Sequence, residues 1–259
     1  MQDRLTILGG GGWFPAQRRH TACALWRRGN AAILIDAGTG VGRLVERPEL
    51  LDGVERLDIL LTHFHLDHVC GLAYLPALSI PVQATIWGPG RELYGIRTAE
   101  LLAPMSHEPF HPVPLEDLEI DIRELPATEL ELGSVRLWLR TQRRHSAPSL
   151  GLRFDDQFTW ITDTAYDPES AGFAAGCSLL AHESWFIEAR PRNADIHSSA
   201  AQAATVARDA GIEDLLLIHL PPFEAEVNAF AAEARQLVPR VVLAAEGIDV
   251  LPGPGYATG

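Results

Sequence analysis

The stretch Leu57-Asp58-Ile59-Leu60-Leu61-Thr62-His63-Phe64-His65-Leu66-Asp67-His68 decides how this chain is read. An apolar run of strand length delivers three histidines and an aspartate within six positions. Alternate residues of extended backbone point the same way, so His63 and His65 can share one metal ion. Asp67 and His68, just past the strand end, can turn toward a second ion beside the first. Imidazole with carboxylate suits zinc, manganese or iron, whereas calcium prefers all-oxygen shells.

Outward from that cluster, the 259 residues suffice for one large domain or two small ones. No Ser/Gly/Pro-rich or charge-rich stretch divides them, so a single domain over 1–259 is expected. Apolar residues make up 47% and charged residues 21%, the balance of a soluble protein with a sizeable core. No apolar run reaches the roughly 18 residues of a membrane span. Met1-Gln2-Asp3-Arg4-Leu5 enters a strand-like run without the layout of a signal peptide, so a cytoplasmic location is expected. Cys23, Cys70 and Cys177 match neither a metal-binding pair nor a disulfide framework. The chain has 21 arginines and no lysine, which excludes Schiff-base chemistry. A net charge of −13 weighs against a large nucleic-acid partner, because such binding neutralises phosphates with basic side chains.

Leu5 to Leu8 reads as a first strand ending in Gly9 to Gly12, a run that permits close approach to a neighbour. Residues 21–26 and 31–35 form a predicted hairpin, after which Asp36 caps a turn and braces the metal loop. Further strands are expected at 57–61, 82–87, 123–125, 129–132, 135–140, 149–154, 158–161, 178–181, 215–218, 240–243 and 248–251. Helices are expected at 66–75, at about 90–102, after Ser198-Ser199 as far as Gly211, and at 223–237. This order fits an α/β (α+β) architecture, a four-layer αββα sandwich of two sheets with helices outside.

His145 follows the strand at 135–140, Asp163 ends the strand at 158–161, and His219 ends the strand at 215–218. All three are metal-competent residues at the exit of an apolar strand. With them the pattern His-x-His-x-Asp-His, then His, Asp and His, resembles the metallo-β-lactamase fold superfamily along the whole chain. Within it, His145-Ser-Ala-Pro-Ser-Leu-Gly-Leu-Arg153, Asp163-Thr164, His182-Glu183-Ser184 and His197-Ser198-Ser199 resemble the ribonuclease Z and phosphodiesterase branch.

The resemblance implies two divalent metal ions, zinc first and manganese or iron as alternatives. His63, His65 and His145 would hold one, Asp67, His68 and His219 the other, and Asp163 would bridge both. It implies attack at phosphorus by a hydroxide between the ions, with Asp67 orienting that water. His197 would be the general acid, its tautomer set by Glu183. His182 is read as a packing neighbour, Arg143, Arg144 and Arg153 as weak candidates for a phosphate contact, and His20, His107 and His111 as loop residues.

Two departures from ribonuclease Z bear on substrate. Only 17 residues separate His145 from Asp163, too few for that family's tRNA-gripping arm. His219 is followed by Leu220-Pro221-Pro222-Phe223, not a Ser-x-Arg-Tyr-like stretch. The expectation is therefore a phosphodiesterase for a small nucleotide or cyclic diester, with no membrane and as a possible homodimer. The alternatives are a tRNA 3′-end endonuclease, a thioester or lactone hydrolase, and a non-catalytic metal-binding sensor.

Overall fold

Alternation along the first strands sorts their side chains into two layers. In β1 (Arg4–Gly9), β2 (Cys23–Arg28) and β3 (Ala31–Ile35), Leu5, Ile7, Trp26, Ile33 and Ile35 enter one apolar cluster. Leu8, Cys23, Leu25, Ala32 and Leu34 enter another on the opposite face. Both faces are buried, which explains why these strands read as near-continuous apolar runs. The computed structural model describes residues 3–17, 19–78, 83–223 and 227–250.

With β4 (Arg56–Leu60), β5 (Gln83–Gly88), β6 (Ile120–Glu124) and a last strand, β14 (Asp249–Val250), these make a sheet in the order β14-β1-β2-β3-β4-β5-β6. Pairing is antiparallel from β14 to β3 and parallel from β3 to β6. The second sheet contains β7 (Glu129–Leu132), β8 (Val135–Gln142), β9 (Ser149–Phe154), β10 (Phe158–Ile161), β11 (Leu179–Glu183), β12 (Asp214–Ile218) and β13 (Arg240–Leu243). Their order is β13-β12-β11-β10-β9-β8-β7, antiparallel from β7 to β10 and parallel from β10 to β13.

The sheets face each other across Trp26, Leu60, Leu137, Phe154, Phe158 and Leu216. Outside the first lie α1 (Gly42–Glu46), α2 (Leu66–Val69) and α3 (Thr98–Leu102). Outside the second lie α4 (Glu169–Ala174), α5 (Ala200–Asp209) and α6 (Asn228–Ala234). The result is the expected αββα sandwich. None of the described helices is long and apolar enough to cross a membrane.

The differences from expectation are the unexpected helices α1 and α4, a β6 that begins at Ile120, and the helix ends. The helix expected over 66–75 is α2 followed by a 3₁₀ stretch, Cys70–Ala77. Gly71 there donates its N–H to Ala37 O at 2.7 Å, and a Cβ on it would lie 2.0 Å from Gly38 O, so the turn is pinned to the loop after β3. The helix expected over 90–102 breaks at Gly95, whose φ of +68° leaves only α3 as α-helix. Residue 82, residues 224–226 and residue 251 of the expected elements lie outside the described residues. Ser199 caps α5 in a capping box with Gln202, and Gly211 follows the helix with φ +72°.

Candidate metal centre

The parallel halves of both sheets end at one cleft, the edge where open α/β sheets present the residues that follow their strands. Asp36 follows β3, Thr62 and His63 follow β4, Asp163 follows β10, Glu183 closes β11 and His219 follows β12. α2 carries Asp67 and His68, and the loop between β8 and β9 carries His145.

These residues converge. One ligand atom from each of His63, His65, His145 and Asp163 falls within 4.8 Å of the others, and Asp67, His68 and His219 form a second such group. Asp163 lies between the two: its Oδ1 is 3.5 Å from His145 Nε2 and 3.4 Å from His219 Nε2, and its Oδ2 is 3.2 Å from His68 Nε2. His219 Nε2 is also 3.3 Å from Asp67 Oδ2. These are the residues that the resemblance groups together.

The outer ring nitrogens have partners that aim the inner ones. His68 Nδ1 donates to Asp36 Oδ2 at 2.8 Å, His145 Nδ1 to Ile196 O at 2.9 Å, and His63 Nδ1 lies 3.1 Å from Thr62 Oγ1. Such partners fix tautomer and ring orientation around a metal. Asp36 Oδ1 also accepts from Thr62 N at 2.7 Å, as its bracing role predicts.

The donor set fits a pair of divalent cations. His63 Nε2 and His68 Nε2 are buried without any hydrogen-bond partner, and His65 Nδ1 faces His145 Nε2 at 3.2 Å. Burial is costly for unpaired polar atoms, and inward-facing lone pairs repel unless a cation lies between them. Burial, with the His68 charge beside it, holds His63 well below the ordinary histidine range, and burial with His145 lowers His65. The lowering favours the neutral form of both, the form that ligates. Burial opposes charge on His68, Asp67 and Asp163 as well. It is outweighed at His68 by Asp163, Asp36 and Asp67, at Asp67 chiefly by His68, and at Asp163 chiefly by His219 and His68. His68 is therefore held well above its usual value and both carboxyls below theirs, the signature of a site whose field calls for positive charge.

A second device flanks the first. His197 Nδ1 donates to Glu183 Oε2 at 2.9 Å, while Glu183 also accepts from the backbone N–H groups of Thr164 and Ser198. Burial of the His197 ring disfavours its charge, but the Glu183 carboxylate prevails and lifts His197 above the ordinary value. Its other nitrogen is left for the cleft, and His197 groups with Asp163 and His219 within 4.8 Å.

Backbone strain concentrates here. Asp36, Asp163, His219 and Trp13 have φ values of +58°, +49°, +51° and +68°. Left-handed backbone is unfavourable for such side chains and persists where the surroundings over-determine it. Gly12 packs so closely on His219 that a Cβ would lie 2.2 Å from the imidazole Cε1, the close approach expected of the glycine run.

Sequence reasoning missed Trp13, Ser146, Trp185, Asn193 and Ile196, which line the cleft of about 250 Å³. Trp185 stacks on His197 at 4.8 Å between ring centres. Two of the weak arginine candidates serve structure. Arg144 donates to Tyr166 O, and Arg153 donates to the carbonyls of Asp155, Phe173 and Ala175 and lies over the Trp138 ring. Arg143 is exposed. His182 Nδ1 donates to Glu183 O, His20 meets Thr39, His107 meets Ala103 O and His111 meets Ala73 O, so none of these four joins the donor groups.

Residues 31–220 match the family described as the beta-lactamase superfamily domain. A ribonuclease Z of Mycobacterium sp. (strain KMS) is 31% identical over 89% of this chain and 90% of its own length. A ribonuclease Z of Methanopyrus kandleri is 27% identical over 95% of this chain and 96% of its own. In fold, the chain is similar to the metallo-beta-lactamase fold protein YhfI from Bacillus subtilis, with a TM-score of 0.77 at 20% identity over 96% of this chain and 99% of that one. A strand-exit cluster of five histidines and two aspartates on an αββα frame, matched over most of its length by these relatives, means that the chain belongs to the beta-lactamase superfamily, in its ribonuclease Z-like branch.

Proposed function

We propose that this chain is a metal-dependent hydrolase that cleaves phosphodiesters, with small nucleotide or cyclic diesters as its substrates. The observation that carries the reading is the placement of the His197–Glu183 pair beside two converging donor groups that share Asp163. His63, His65, His145 and Asp163 would hold one divalent ion, and Asp67, His68 and His219 with Asp163 the other. Zinc leads, with manganese or iron as alternatives. When bound, such a pair supplies Lewis acidity, lowering the pKa of a water and neutralising charge that develops on a phosphoryl group.

The rest falls to the chain. Asp67 accepts from the Trp13 backbone N–H at 2.5 Å, which fixes its carboxylate toward the cleft, where it orients the attacking water. His197, its charged form favoured and its ring steadied by Glu183, donates a proton from its other nitrogen to the departing oxygen. An acid of this kind matters for a poor alkoxide leaving group and favours phosphorus over a thioester. We take the enzyme as one cytoplasmic domain able to pair into homodimers.

A second reading, a tRNA 3′-end endonuclease, is favoured by the ribonuclease Z relatives, whose match over about nine-tenths of both chains weighs against the expectation of small substrates only. The deciding assay is hydrolysis of bis(p-nitrophenyl) phosphate by zinc- or manganese-loaded protein, with His65→Ala as control. Release that depends on His65 is expected. Precursor tRNA cleaved at low enzyme concentration would move the assignment to the endonuclease. No release from metal-replete protein would remove the phosphodiesterase reading and leave thioesters, lactones and a sensor role.

A further inference from the structure

Trp13 combines three properties that seldom coincide. Its φ of +68° is an outlier for a bulky side chain, its backbone N–H is committed to Asp67, and the residue is 64% exposed. An exposed indole held in an unfavourable backbone conformation needs a reason beyond packing. The indole stands at the mouth of the cleft and continues an aromatic series that starts at the proton donor. His197 stacks on Trp185, Trp185 meets Phe223 edge-on at 5.6 Å, and Phe223 meets Trp13 edge-on at 6.5 Å. Arg192 places its guanidinium 4.7 Å from the Phe223 ring centre. Ser146 and Asn193 add hydrogen-bonding groups to the same cleft.

We infer that Trp13 is a specificity residue whose exposed indole face stacks on a nucleobase carried by the scissile phosphodiester. The inference rests on the phosphodiesterase reading for the position of the phosphate, but the base contact has its own chemistry. A largely exposed indole at a polar cleft, with Phe14 and Phe223 edge-on to it, suits a planar ring, since stacking tolerates solvent at its edges, whereas an aliphatic chain needs enclosure. The backbone amide anchors Asp67 whatever the side chain, so the indole can be altered while that anchor stays.

Calorimetric titration of the metal-replete protein with AMP and with ribose 5-phosphate separates base from sugar and phosphate without requiring turnover. AMP is expected to bind about tenfold more tightly, within the range for one stacked base. Trp13→Ala should bring the ratio of the two affinities near one, and Trp13→Phe should keep most of it, which separates loss of the ring from loss of fold. Equal affinities in the unsubstituted protein, absence of AMP binding, or a preference that survives Trp13→Ala would each overturn the inference. A base preference that depends on Trp13, in a protein that fails to hydrolyse bis(p-nitrophenyl) phosphate, would leave the subsite standing and remove only the phosphodiesterase reading.

Discussion

Asp36 and His68 are joined by a 2.8 Å hydrogen bond with both side chains completely buried. Asp36 stands outside both donor groups, yet it dictates which nitrogen of His68 points inward. In Asp36→Asn one oxygen can still accept from Thr62, but the amide group turned to His68 offers N–H where an acceptor is needed. Metal affinity should fall roughly 10–100-fold. Competition with a chromophoric chelator measures this, and an affinity within twofold of the parent would remove Asp36 from the centre.

Glu183 favours the charged form of His197, so activity that needs this acid should persist to higher pH than an ordinary histidine allows and be lost as the pH climbs through the raised value. Glu183→Gln removes the dominant favourable charge. The alkaline limb of kcat should then move to lower pH, with a rate loss of roughly 10²-fold or more for an alkyl leaving group and far less for p-nitrophenolate. The same linkage makes the contribution of this pair to stability greatest below the unfolded histidine value and lost above the folded one. Equal losses for both leaving groups would argue against proton donation.

Gly12→Ala places a methyl group against the His219 ring, where no flexible end can yield. The imidazole or the loop must shift. Overpacking of this sort costs about 1–3 kcal/mol, and displacing a catalytic group by about 1 Å can cost 10²-fold in rate. Thermal unfolding and kcat on bis(p-nitrophenyl) phosphate read the two effects, and an unperturbed kcat would mean that His219 tolerates movement.

Trp26 is wedged between the sheets, edge-on to Phe154 at 5.4 Å and to Phe158 at 5.8 Å. Trp26→Ala should destabilise by about 3–5 kcal/mol, seen as a lower urea midpoint. A cost below about 1 kcal/mol would indicate that the sheets collapse onto the void.

Local patterns made strands legible and left helix ends obscure. β7, β9, β10 and β13 fall where alternation or apolar runs put them, because burial on a sheet face selects side chains two by two. Gly71 lies where the α-helix gives way to a 3₁₀ stretch pinned by Ala37 and Gly38, and Gly95 ends its turn in a left-handed conformation, reasons that periodicity does not record. The donor residues were legible because chemistry-bearing side chains follow apolar strands at His63, Asp163 and His219. Trp185 and Trp13 were not, since an indole beside a histidine is a contact between distant segments. A bulky aromatic directly after four glycines was the one available sign of Trp13.

The pairing of β1 with β14, Leu5 opposite Val250 and Thr6 opposite Asp249, sets the first of the described strands against the last of them. During synthesis the opening sheet therefore waits, one edge bare, until β14 has been made. The donor group of His63, His65, His145 and Asp163 is complete while the ribosome still has β12 to make, whereas the group that includes His219 is not. A nascent chain stalled between those points would carry the side chains for a single ion. Ribosome-bound intermediates of increasing length would thus gain metal capacity in two steps, with the sheet edge closing last.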